Sequence, residues 1–213
     1  MLNIAAPPPK LDIIISPNQG FWSMYKKIAC LSFVMFIMAG CSSYSRDYDS
    51  VEFTVSGETA LMIGIIDSDI PDQVIALLED YPQITTIVMQ DVEGSVDDEA
   101  NLIAARYIRE NGLNTHIPED GLVASGGTDF FLSGVKRTAS PGAKIGIHSW
   151  VDDQGTEGAL LSKNDSAHKT YLDYYGLMGI PAEFYWFTLE AAPSEEIHWM
   201  TIDEQQLYKI TTH

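Results

Sequence analysis

The sequence predicts a single α/β domain whose strands run mainly parallel. Three observations point there. Short apolar strand-like runs alternate with segments of helical spacing, the links between them are too short to separate domains, and one run is apolar without interruption. At 213 residues the chain has room for one domain with a substantial core. Its 46% hydrophobic and 20% charged content is that of a folded protein rather than a disordered one.

In chain order, Phe53 to Ile66 holds two extended runs with a turn at Gly57. The second, Ala60 to Ile66, is continuously apolar, as in a sheet covered on both faces. Asp67-Ser68-Asp69 supplies helix caps, Pro71 suits a first helical turn, and Val74, Leu77 and Leu78 give that helix one apolar face. A strand over 84–89 follows, then a turn at Val92-Glu93-Gly94-Ser95. Ser95 and Asp98 have capping-box spacing, with Asp as the acid. Ala100, Ile103, Ala104, Tyr107 and Ile108 recur at helical spacing until Asn111-Gly112 stops the helix. Asp97-Asp98-Glu99 reads as helix N-terminal charge rather than a catalytic cluster.

Thr115 to Ile117 and Gly121 to Ala124 are short extended pieces. Ser125-Gly126-Gly127 then turns into a helix bearing Phe130 and Phe131, and Lys136-Arg137 reads as a solvated turn. Beyond the turn at Ser140-Pro141-Gly142, a strand over Lys144–Ile147 delivers His148. The stretch 151–163 is a polar loop, 165–178 and 181–191 are helices rich in aromatics, and 199–208 closes with a strand end and a short helix. The aromatic run from Tyr171 to Trp186 suits a core or a subunit contact, or alternatively the wall of a substrate groove.

The net charge of −18 argues against a nucleic-acid partner, because phosphate contacts need clustered Lys and Arg. The two cysteines, Cys30 and Cys41, both fall in or just after an apolar N-terminal stretch, so the domain itself carries neither disulfide nor thiolate metal site. His116, His168, His198 and His213 lack ligand spacing, and no metal or other cofactor is implied.

Residues 24–40 have the layout of a signal peptide: Lys26-Lys27, an apolar run, small residues, then Cys41. The 13 residues from Ile28 to Gly40 fall short of the ~20 that span a bilayer. Met38-Ala39-Gly40-Cys41 resembles a bacterial lipobox, in which the cysteine is lipidated after cleavage before it. The expected organisation is therefore residues 1–23 outside the translated or structural protein, a lipoprotein-type signal over 24–40, a tether over 41–52 and the folded domain over 53–213. Localisation follows as a periplasm-facing lipoprotein of the bacterial envelope. Ser42 after the cysteine points to the outer membrane in a Gram-negative source.

Ser125 lies where a strand hands over to a helix. There its hydroxyl is either a nucleophile beside main-chain N–H groups or a helix N-cap, and the local residues leave both readings open. His148 is either its base or a packed strand-end histidine. Three segments resemble the Clp protease/crotonase superfamily. Asp91-Val92-Glu93-Gly94-Ser95-Val96 is similar to its first oxyanion turn, with Glu93 in place of a glycine; Ala124-Ser125-Gly126 is similar to its nucleophile turn; and Ser140 to Ser149 is similar to the segment that ends in its histidine. The likeness is nearest to bacterial envelope proteins of that superfamily and covers about Leu61 to Tyr208.

The resemblance implies a crotonase-like domain of repeated β-β-α units. It implies Ser125 as nucleophile, His148 as base and the N–H groups of Gly94 and Gly126 as oxyanion donors, acting on a peptide or protein substrate, with self-association into a homo-oligomer. An acid that orients the histidine is missing at the matching place near Ala192-Pro193-Ser194. Glu195 and Glu196 are the nearest candidates, with Asp152 and Asp153 next. Three functions are consistent with these residues. The first is a lipid-anchored serine hydrolase of peptidase type. The second is a non-catalytic binding or assembly module that keeps the fold. The third is an acyl-CoA enzyme, ranked last because the chain is acidic and CoA is scarce outside the cytoplasm.

Overall fold

The computed structural model describes residues 49–152 and 154–212. The predicted leader, Cys41 and most of the predicted tether lie outside the described residues. The folded unit begins slightly before the expected boundary: Val51 is buried, and Asp49 O accepts a hydrogen bond from Ile65 N.

The domain is a mixed α/β fold on a mainly parallel sheet, as expected. Strands β1 (Glu52–Ser56) and β2 (Thr59–Ile63) form an antiparallel hairpin around Gly57. Helix α1 (Ile70–Asp80) follows, then β3 (Thr86–Val92) parallel to β2. Helix α2 (Asp98–Glu110) leads to β4 (Asn114–Ile117) and β5 (Leu122–Ala124). Helix α3 (Gly126–Leu132) leads to β6 (Arg137–Ala139) and β7 (Lys144–Ile147). Helices α4 (His168–Met178) and α5 (Ala182–Ala191), β8 (His198–Trp199) and α6 (Ile202–Leu207) complete the chain.

The β-β-α rhythm shows in β1-β2-α1, β4-β5-α3 and β6-β7-α4. The main path of the sheet runs β1-β2-β3-β5-β7-β8, with β4 and β6 branching from it. β3 makes the fork: Thr86 to Val88 pair with β4, and Asp91 and Val92 pair with β5. β3, β5 and β7 are thus parallel neighbours whose C-terminal ends lie side by side. Loops leaving such ends form the natural crevice of an open α/β sheet.

Four expectations change. β2 is buried on one face only: Ala60 and Met62 are wholly buried, while Ile63 is exposed. The second face carries the half-buried Thr59 and Leu61 and the exposed Ile63. The strand also ends early, because Gly64 turns at φ +115° where a Cβ would sit 2.7 Å from Ser50 O. The cap of α2 is Asp97, whose carboxylate accepts from Ala100 N at 3.0 Å, and Ser95 instead donates to Asp98. Finally, Arg137 is no solvated turn residue. It is 4% exposed on β6, and its guanidinium donates to the carbonyls of Gly134, Met178, Lys209 and Ile210. Those carbonyls lie at or just past the C-termini of α3, α4 and α6, where partial negative charge gathers and favours a cation.

Among the described residues, no helix is long and apolar enough to cross a membrane.

Candidate functional site

Three adjacent parallel strands deliver three predicted residues to one place. Gly94 follows β3, Ser125 follows β5 and His148 follows β7. Ser125 and His148 line one cavity of about 40 Å³ with Gly126 and Thr128. A Cβ built on Gly94 would lie 3.6 Å from the Ser125 Cβ, so that turn abuts the serine directly.

Ser125 sits at the N-cap position of α3 but makes no capping hydrogen bond with its side chain. Its backbone holds φ 52° and ψ −129°, a conformation costly for any residue with a Cβ. What over-determines that conformation is visible. Ser125 N donates to Gly146 O at 3.1 Å, and Thr128 Oγ1 donates to the same carbonyl at 2.7 Å. The serine turn is thereby tied to β7 two residues before His148. On the other side, Asn101 Nδ2 donates to Gly126 O at 2.8 Å from the buried face of α2. Gly126 and Gly127 permit the close approach: a Cβ on the first would lie 2.1 Å from Ser95 Oγ, and on the second 2.0 Å from Val92 O. Among the described residues, neither the Gly94 nor the Gly126 N–H has a hydrogen-bond acceptor. Gly126 N is one of the free amides of a helix start.

His148 Nδ1 lies 2.7 Å from Ser149 O. A carbonyl only accepts, so Nδ1 carries the proton and Nε2 is left as the basic nitrogen. No hydrogen bond joins Ser125 to His148. The main-chain carbonyl of Ser149 thus occupies the ring nitrogen that an orienting carboxylate would use.

The candidate acids fall differently. Glu195 and Glu196 are exposed and neither bonds to His148. Asp152 is engaged in its own turn, accepting from Gln154 N and Thr156 N, and Asp153 lies outside the described residues. The carboxylate whose field reaches His148 is Glu157, which the sequence reading did not single out. The Ser194 hydroxyl holds its carboxyl below the usual value, with smaller contributions from Ser149 and from charge on His148. An antiparallel bridge between Val151 and Glu157, with Gly158 N donating to Trp150 O at 2.9 Å, folds the loop back to bring it there.

The sequence also gave no reason to place two aspartates here. Asp98 and Asp129, from the first turns of α2 and α3, line the same cavity. Tyr171 donates to Asp98 and Tyr175 to Asp129, each at 2.6 Å. Burial pushes the Asp129 carboxyl up to about 7; the Tyr175 hydroxyl opposes this and the charge of Asp98 adds to it. Because the folded carboxyl binds its proton more tightly than the unfolded one, its contribution to stability is present at low pH and is lost as pH rises from about 4 to about 7. Asp129→Asn removes that loss. In urea titrations across this range, the stability difference between variant and wild type should shift in the variant's favour as pH rises and level off above about 7. A difference independent of pH would refute the assignment.

The aromatic run divides between the core and the lining of the cavity. Tyr174 and Phe184 are fully buried core, while Tyr171, Tyr175 and Tyr185 line the cavity with Trp150. His168, buried at 1% exposure, is held between Tyr185 Oη (2.6 Å) and Ser162 O (3.1 Å). His116 and His198 bond to Thr138 and Glu204.

No family model and no curated protein matches the chain. Solved structures do. The 1510-N membrane-bound stomatin-specific protease, as a mutant in complex with a substrate peptide, is 16% identical with a TM-score of 0.46, over 69% of this chain and 71% of that one. A second mutant of the same protease is similar at 16% identity and TM-score 0.46, over 69% and 75%. An enoyl-CoA hydratase from Polaromonas sp. JS666 is 11% identical with a TM-score of 0.48, over 76% and 69%. At such identities the likeness concerns the arrangement of the chain, not its chemistry.

Proposed function

We propose that this protein is a serine hydrolase of peptidase type, held at the cell envelope by a lipid on Cys41. The observation that carries the chemistry is the state of Ser125: a hydroxyl without a capping bond, on a strained strand-to-helix turn, in one cavity with His148. In the reaction, Ser125 Oγ attacks the carbonyl carbon while Nε2 of His148 takes the hydroxyl proton. The N–H groups of Gly94 and Gly126 receive the negative charge on the carbonyl oxygen. His148 then gives its proton to the leaving amine, and water releases the acyl group by the reverse sequence. With Ser149 O rather than a carboxylate at Nδ1, tautomer and orientation are held but the imidazolium gains less stabilisation, so turnover is expected to be slow.

A fluorophosphonate probe should label the folded wild-type protein at Ser125 and leave Ser125→Ala unlabelled. A folded wild type that resists the probe would end the hydrolase reading. The absence of a Ser125–His148 hydrogen bond favours a second reading, a binding module that keeps the fold, and that outcome would select it.

The anchor rests on the residues around Cys41. A lipidated cysteine holds a protein through its acyl chains, at about 0.8 kcal/mol per buried CH₂. Cys41→Ser should accumulate as unprocessed precursor in the inner membrane; normal processing and release of that variant would rule out the lipoprotein.

A further inference from the structure

The cavity beside Ser125 carries two carboxylates for which acyl transfer has no use. Asp98 and Asp129 come from different helices, and Tyr171 and Tyr175, one turn apart on α4, hold one each. Successive turns of a single helix therefore set both carboxylates on the same side of the cavity. Each tyrosine hydroxyl donates to its carboxylate, and at Asp129 burial outweighs that bond and holds the carboxyl up at about 7. Asp98 uses both oxygens within the protein, receiving Ser95 and Tyr171. Asp129 receives Tyr175 on Oδ1, while its Oδ2 has no partner among the described residues. Aromatic rings line the cavity beside them: Trp150 stacks on Tyr171 at 6.0 Å between ring centres, and Tyr171 on Tyr185 at 5.7 Å. No lysine or arginine lines the cavity.

Two carboxylates beside aromatic rings in one cavity suit a cation. The volume of about 40 Å³ holds only a compact head group, of the size of a few water molecules. We propose that this part of the cavity is a subsite for a primary ammonium group of a peptide substrate, with Asp129 and Asp98 as the residues that set specificity. The ammonium belongs either to a lysine side chain or to a free α-amine, next to the carbonyl that Ser125 attacks. The placement beside a scissile carbonyl rests on the hydrolase reading; the ammonium site itself does not.

The test uses the full chain and measures binding without turnover. Calorimetry would follow titration with n-butylammonium as the lysine mimic. Glycinamide serves as the α-amine mimic and n-butanol as the neutral counterpart. An ammonium should bind at least about tenfold more tightly than n-butanol, the selectivity expected when a buried charged group gains its partner. Asp129→Asn should abolish that preference, and Ser125→Ala should keep it. Tighter binding of n-butylammonium assigns a lysine side chain, and tighter binding of glycinamide assigns a peptide N-terminus. If Asp129→Asn fails to fold, the rim variant Asp98→Asn should weaken the same preference. Wild-type protein that binds both ammonium probes no better than n-butanol overturns the subsite, as does an undiminished preference in Asp129→Asn. Fluorophosphonate labelling without ammonium binding sinks the subsite alone. Ammonium binding without labelling sinks the hydrolase and leaves the subsite.

Discussion

Replacing Ser125 by glycine should abolish fluorophosphonate labelling and at the same time make the protein more stable. The two effects have one cause. Ser125 and Lys209 are the only described non-glycine residues at positive φ, and Ser125 combines φ 52° with ψ −129°, a region glycine enters freely. Strain of this kind costs about 1–3 kcal/mol. Glycine relieves it but loses more conformational freedom on folding, about 0.4–1 kcal/mol. The net gain is expected to be about 1 kcal/mol, or about 2–4 °C in Tm for a domain of this size. Ser125→Ala also ends labelling but keeps the Cβ and therefore the strain, so its Tm should stay near that of the wild type. A serine that merely capped α3 would behave in the opposite way, with alanine costing about 1 kcal/mol. A Ser125→Gly variant less stable than wild type would mean that the turn is not strained for the sake of an exposed hydroxyl.

Arg137→Ala should be the most damaging single change away from the cavity. The guanidinium is buried, and its hydrogen bonds run to four main-chain carbonyls rather than to a carboxylate. Burial, with the nearby charge of Arg109, lowers its pKa to about 10, so it stays cationic at neutral pH. Arg109 donates to Gly134 O as well, at 2.7 Å. Alanine would leave the carbonyls of Met178, Lys209 and Ile210 without this donor and open a cavity. A buried hydrogen bond to a charged group contributes about 1.5–3 kcal/mol, and such bonds do not add fully. The expected loss is on the order of 3–5 kcal/mol, about 10 °C in Tm. Arg137→Lys should recover only part of it, because an ammonium cannot reach carbonyls spread in a planar fork. A Tm within 3 °C of wild type for Arg137→Ala would show that the three helix ends hold without it.

Much of the framework was legible in the residues. The apolar runs, the Gly57 and Gly112 turns and the helical spacing from Ala100 to Ile108 depend on local backbone preference and on burial of one face, and both are written in short windows. Placing Gly94, Ser125 and His148 at three strand ends needed only the order of elements. Where the reading failed, distant partners decided. Arg137 looked like half of an exposed basic pair because its acceptors lie up to 73 positions away. Asp98 looked like helix-start charge because Tyr171, which turns it to the cavity, is also 73 positions away.

The sequence by itself determined the fold class and the identity of the small residues that let chain segments touch. A strand-to-helix turn with Gly126 and Gly127 is a local property, and so is the apolar period of each helix. Tertiary structure alone decided the electrostatics of the site. It placed Ser149 O rather than a carboxylate at Nδ1 of His148, folded Glu157 back toward that histidine and set Asp129 beside Asp98. The physical reason is range. Hydrogen-bond geometry and desolvation depend on which groups meet across the fold, and spacing along the chain does not encode those meetings.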